Sequence, residues 1–144
     1  MCITKIRKSK RTIVTGYKWV IKRNNKYYSP ATGLEYKIGA VPMLEDMLSQ
    51  KVIGYEKYCN YAEGKVFHSP NYNGHTAIFK TYKCAYKHIN YSTKYNNILL
   101  VKMTISKNIK TAQHTPYALR WVGIGDNKYL PVYIGKYINK IEEL

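Results

Sequence analysis

Acidic side chains are scarce in this chain: 8 Asp and Glu stand against 24 Lys and Arg, for a formal net charge of +16. The eight are scattered, which argues against metal-dependent nuclease chemistry, since that needs clustered carboxylates. Cysteine is scarcer still. Cys2, Cys59 and Cys84 are far apart and odd in number, which argues against a disulfide framework and fits a reducing compartment. Long apolar runs are missing. The strongest aliphatic stretch, Ile98-Leu99-Leu100-Val101, is far too short for a helix that spans a bilayer. The basic N-terminus lacks the apolar stretch of a secretory signal. These absences lead to the expectation of a soluble intracellular protein with no membrane partner.

Several catalytic and ligand-binding signatures are absent as well. No Gly-x-Ser-x-Gly elbow occurs, and none of the cysteines sits in a catalytic signature. Gly123-Ile124-Gly125 lacks the third glycine and the following helix of a phosphate-binding loop. His68-Ser69, His75-Thr76 and His114-Thr115 place the hydroxyl one residue too early for the His-x-Thr pairs of two-histidine phosphoesterases. Cys84 and His88 are one helical turn apart, but a structural zinc site needs two more ligands in a comparable pair. No metal and no cofactor are expected.

What is present is basic charge, unevenly placed. Residues 1–37 carry ten basic and one acidic side chain, residues 38–79 three and four, and residues 80–144 eleven and three. Two basic ends around a near-neutral middle could converge on one face and attract a polyanion. A low-GC genome would also enrich Lys, so solvated surface charge is the competing explanation. Sixteen tyrosines are the second unusual feature. Tyr17, Trp19, Tyr27, Tyr28 and Tyr36 lie among Lys18, Lys22, Arg23, Lys26 and Lys37, a mixture able to stack on exposed bases while neutralising phosphates. Arg120-Trp121 is a second such neighbourhood. Tyrosine also favours strands, so a tyrosine-rich core explains part of the count.

The organisation reads as a basic N-terminal arm, residues 1–11, followed by a single domain over 12–144. Residues 12–22 are β-rich, Asn24-Asn25 can tolerate positive φ in a tight turn into 26–28, and 34–38 alternates like a half-buried strand. A short helix is expected over 43–48 and a long loop over 54–74. Residues 75–79 read as a strand, and Thr81 as the cap of a helix whose Tyr82, Ala85, Tyr86 and Ile89 form a core stripe. Residues 97–105 read as a central strand, completing a βαβ-like unit. Residues 117–124 and 128–134 read as a hairpin, and 136–144 as a final short helix. The expected class is α+β: a small single domain with a mainly antiparallel sheet and two or three short helices.

Gly16-Tyr17-Lys18, Tyr28-Ser29-Pro30-Ala31-Thr32-Gly33, Tyr36-Lys37-Ile38-Gly39 and Gly74-His75 with Phe79, Thr81 and Ala85 together resemble small proteins of phages and large DNA viruses. The resemblance touches residues 16–105 through short motifs. It implies a compact α+β fold and a viral source, and so a place in the virion or in the host cytoplasm or nucleus.

The function these features point to is nucleic-acid binding through phosphate contacts with weak sequence specificity, as in a viral genome-associated or virion component. The residues expected to carry it are Lys5, Arg7, Lys8, Lys10 and Arg11 in the arm, Lys18, Lys22, Arg23 and Lys26 in the first hairpin, and Lys80, Lys83, Lys87 and Arg120 further on. Tyr27, Tyr28 and Trp121 are the stacking candidates. One alternative is a metal-independent nuclease or nucleotide-processing enzyme, with His75 as acid or base and Lys80 or Lys83 stabilising phosphate charge. The other is a viral interaction protein, a host-defence antagonist or capsid-associated factor, docking an acidic protein partner.

Overall fold

The computed structural model describes residues 2–29, 35–42, 74–87, 98–115 and 130–144. Ten strands run through them, joined in one curved sheet that forms a half-barrel. In chain order the elements are β1 (Cys2–Lys8), β2 (Ile13–Arg23), β3 (Lys26–Tyr28), β4 (Glu35–Tyr36), β5 (Gly39–Ala40), β6 (Thr76–Phe79), α1 (Tyr82–Lys87), β7 (Ile98–Ser106), β8 (Lys110–Thr115), β9 (Leu130–Gly135) and β10 (Tyr137–Glu143).

The curvature follows from two bent strands lying antiparallel. The chain leaves β7 at Ser106, turns through Lys107 and Asn108, and continues as β8. Likewise β9 continues into β10 after the single residue Lys136. One limb of this ribbon pairs β7 with β10, the other pairs β8 with β9. The two corners are pinned together, because the Lys136 amide donates to the carbonyls of Lys107 (2.9 Å) and Ser106 (3.2 Å). Lys107 and Asn108 have φ of 64° and 57°, a left-handed pair that turns the chain sharply where no glycine is available.

β2 is the axis of the sheet. It pairs with β7 from Ile13↔Ser106 to Ile21↔Ile98, with β3 through Asn24-Asn25, and with β6 at Tyr17↔Phe79. Both Asn24 and Asn25 have positive φ, 50° and 61°, as the primed turn of a two-residue hairpin requires. The expected strand, turn and strand over 12–28 are all present. β7 is central too, lying between β2 and β10. β6 and β7 are both antiparallel to β2, hence parallel to each other, with β2 inserted between them. The βαβ-like unit is therefore a split one.

Alternation along β2 sends its residues to two cores, one on each face. Val14 and Val20 join Val101, Met103, Ile105, Ile78 and Ile138 on one face. On the other, Tyr17 and Trp19 pack against a cluster holding Phe79, Leu100, Val132 and Ile134, with Ala85 of α1 fully buried among them. Thr81 caps the helix as expected, its Oγ1 accepting from the Cys84 amide at 3.1 Å. The Trp19 indole N–H donates to the Ala85 carbonyl at 2.7 Å, giving the part-buried indole nitrogen a partner and tying α1 to β2.

Four expectations are corrected. The fold is nearly all-β rather than α+β, and among the described residues there is one helix, of six residues. The expected final helix over 136–144 is strand β10. A register shift between Ile138 and Lys140 lets Ile138 face Ile105 and Ile141 face Met103, so a bulged strand produces the three-residue apolar spacing that reads as a helix. The basic segment 1–11 enters the sheet, with Cys2–Lys8 paired along β8 as β1. Finally, Tyr82 and Tyr86 are not core residues: they are 49% and 51% exposed, because the helix packs on the core through the buried Ala85 and the half-buried Cys84. The helix expected over 43–48, the loop over 54–74 and the first limb of the hairpin over 117–134 lie outside the described residues.

Candidate nucleic-acid interface

The bend between β7 and β8 meets the connection between β1 and β2 in an open cleft of about 410 Å³. The connection is held in place by the Ser9 amide donating to the Ile109 carbonyl at 3.0 Å. Within the connection, the Arg11 amide donates to Ser9 Oγ at 3.1 Å. Five cationic residues line the cleft: Lys8, Lys10 and Arg11 from one side, Lys107 and Lys110 from the other. Ser9, Thr12, Ser106 and Asn108 supply neutral polar groups between them, and no carboxylate among the described residues lines it.

Two of those cations oppose each other directly. Lys8 and Lys110 are Cα partners across the β1–β8 ladder, an arrangement that destabilises an antiparallel pair. Lys107 is constrained further, since its turn is left-handed and its ammonium lies 4.5 Å from the centroid of the Tyr137 ring. Cationic side chains are thus gathered in one cleft with no counter-charge among the described residues that line it, which makes its local potential positive.

The opposite end of β2 has the reverse character. Lys22 Nζ and Glu143 Oε1 are 2.7 Å apart, and Lys26 and Glu35 3.9 Å; a third pair, Lys140 and Glu142 at 2.9 Å, lies on β10 beside the middle of β7, opposite Thr104 and Lys102. The Tyr27 hydroxyl donates to Glu143 at 3.0 Å. Lys22, Lys26 and Tyr27 are thereby engaged within the protein rather than presented to a ligand. The hydrogen bond from Lys22, then that from Tyr27, holds the Glu143 carboxyl below its ordinary value. A depressed carboxyl pKa contributes stability above the ordinary carboxylate range and loses it as pH falls through the lowered value. Replacing Glu143 with Gln should therefore flatten the acid limb of a melting-temperature profile below about pH 4.5. The change is small, because the pair is solvent-exposed.

Lys18, expected at phosphate, is structural. It is half-buried, donates to the Ala77 carbonyl at 2.6 Å and lies 5.1 Å from the centroid of the Tyr36 ring. It thus ties β6 to β2, where the ladder has a single residue pair. Lys18→Met should lower unfolding free energy by about 1.5–3 kcal/mol, the worth of a charge-assisted hydrogen bond, and chemical denaturation will measure it.

Lys80 sits 4.7 Å from the centroid of the Tyr133 ring. Arg7, Arg23 and Lys83 are exposed and Tyr28 is half-buried. The side chains of Lys5 and Lys87, and all of Arg120 and Trp121, lie outside the described residues. Sequence reasoning missed Lys107 and Lys110, which are isolated single lysines in the chain. The signal available was Ser106-Lys107-Asn108, a polar break between two segments that alternate apolar and polar residues.

His75 is half-buried and precedes β6, after Gly74 with its φ of 73°. Lys80 and Lys83 lie beyond the other end of β6, so His75 and Lys80 are about 16 Å apart along an extended strand. The fold does not assemble those three residues into one site. Among the described residues no group of three or more His, Cys, Asp and Glu could hold a metal ion, and no helix is long and apolar enough to cross a membrane.

No protein family, curated protein or solved structure matches this chain.

Proposed function

We propose that this protein binds nucleic acid, and that the cleft between the β1–β2 connection and the β7–β8 bend is where it grips phosphate. The observation that carries the reading is the convergence of Lys8, Lys10, Arg11, Lys107 and Lys110 on one cleft that no carboxylate among the described residues lines. Charge drawn from two stretches far apart in the sequence, residues 8–11 and 107–110, is brought to one place, whereas solvated lysines would be spread evenly. Affinity comes mainly from released counterions, so it is steeply salt-dependent and weakly selective for sequence. In the viral setting implied by the sequence resemblance, the ligand is a genome or its transcripts.

The test is a binding titration with labelled oligonucleotides at several salt concentrations, with heparin as the polyanion control. The expected result is an affinity that falls linearly in log–log form as salt rises, with nucleic acid preferred over heparin at equal charge. An affinity that hardly changes between low and physiological salt would exclude phosphate neutralisation. Equal, weak binding to every polymer would reduce the charge to composition and turn attention to an acidic protein partner.

A further inference from the structure

We infer that the nucleic acid bound is single-stranded, and that it runs from the cleft across one face of the β2–β7 pair onto a platform made by Tyr17, Tyr82 and Tyr86; this rests on the cleft reading above. The platform is built from two elements. Tyr82 meets Tyr17 edge-on, with ring centroids 5.9 Å apart and planes at 88°. Tyr86 lies nearly parallel to Tyr82 at 5.6 Å and 24°. Tyr17 comes from β2 and supports Tyr82 from beneath. Tyr82 and Tyr86 each leave about half their surface to solvent. Exposed aromatic rings held by neighbouring rings are pre-ordered to receive another flat ring, at low entropic cost.

The surface between platform and cleft is suited to a sugar–phosphate strand. On the face of the sheet that carries Tyr17, successive cross-strand pairs are Ile13↔Ser106, Thr15↔Thr104 and Tyr17↔Lys102. The two threonine hydroxyls hydrogen-bond to each other at 3.0 Å in an exposed position. The cleft begins at the Ile13/Ser106 end of this row and the platform stands at the Tyr17/Lys102 end. Five residues of extended strand separate Thr12 from Tyr17, about 17 Å. The carboxylate opposite Lys102, Glu142, is tied to Lys140 at 2.9 Å, so it does not leave a bare negative charge on the path. A duplex keeps the faces of its bases inside the stack, where no protein ring can reach them, whereas a single strand can offer one to each tyrosine while its backbone crosses toward the lysines.

Three probes of about 12 units test this: a thymidine strand, a strand of the same backbone lacking bases, and a duplex. Wild type should bind the thymidine strand roughly tenfold or more tightly than the abasic one. The pair Tyr82→Ala and Tyr86→Ala should abolish that margin and leave abasic and duplex binding unchanged. Tyr82→Phe with Tyr86→Phe should retain it, because the ring and not the hydroxyl stacks. Equal binding of thymidine and abasic strands by wild type overturns the inference and leaves the cleft reading standing, and full retention by the alanine variant does the same. If wild type binds none of the three at low salt, the cleft reading falls and the inference falls with it.

Discussion

Replacing Lys107 and Lys110 together with alanine should weaken nucleic-acid binding by on the order of tenfold to a hundredfold and make the protein slightly more stable. Each lysine that neutralises a phosphate contributes about 0.7 to the log–log salt slope for a single strand, so losing two should flatten it by about 1.4. The gain in stability comes from the β1–β8 ladder, where Lys110 faces Lys8. Like charges directly opposite each other are destabilising by a few tenths of a kcal/mol to about 1 kcal/mol. Lys8→Ala alone should show the same pairing of lower affinity and higher melting temperature. In about 1 M salt, where charges are screened beyond roughly 3 Å, both differences should shrink. Lysines serving only to stabilise the fold would give the opposite sign in the melt, so one thermal scan separates the two roles.

Gly16→Ala should be the most damaging small substitution in the described residues, with a loss of about 2–3 kcal/mol or more in chemical denaturation. A methyl group at residue 16 would run into the Phe79 carbonyl oxygen and the Ile78 side chain. Residue 16 lies where β6 joins β2 through the one pair Tyr17↔Phe79. The overlap is with backbone on one side and a buried core residue on the other, so neither can move without parting the strands. Gly135→Ala should be milder. Its added methyl would meet the Ile109 and Ile105 side-chain tips at 2.9 and 3.1 Å and the Ser106 carbonyl at 3.1 Å, and the isoleucine ends can rotate away. Gly16→Ala acts on stability at a distance from the cleft lysines, so its binding should be normal wherever it is folded, whereas Gly135→Ala presses on Ser106 and Ile109, which line the cleft, and should weaken binding as well.

The parts of the fold legible in the sequence are those fixed by local chemistry. Asn24-Asn25 specifies its turn by tolerating positive φ, Thr81 caps a helix with its own hydroxyl, and the β-branched and aromatic run after Thr12 has no better conformation than a strand. Where a residue's neighbours are distant in sequence, reading fails. The stripe Tyr82, Ala85, Tyr86 has helical spacing, but the indole of Trp19, 66 residues away, selects Ala85 as the point of contact and leaves both tyrosines outside. In β10 a bulge imitates the spacing of a helix, and no single-chain periodicity distinguishes the two. The site divided in the same way. Lys8, Lys10 and Arg11 stand out as a basic cluster, but Lys107 and Lys110 acquire meaning only when the bend brings them beside it. Lys18 was misread for the converse reason, as its local sequence is basic and aromatic while its partner is a carbonyl on β6.

The register of the first strand also dictates when the protein becomes competent. β1 pairs with residues 110–115, and β2 with residues 98–106 as well as with the adjacent β3, so the only ladder of the first strand and the longest ladder of the second join segments far apart in the sequence. Contacts so remote in sequence make for slow folding. The two halves of the cleft close on each other only when the β1–β2 connection meets the β7–β8 corner, so the cleft forms together with the longest-range ladders of the sheet.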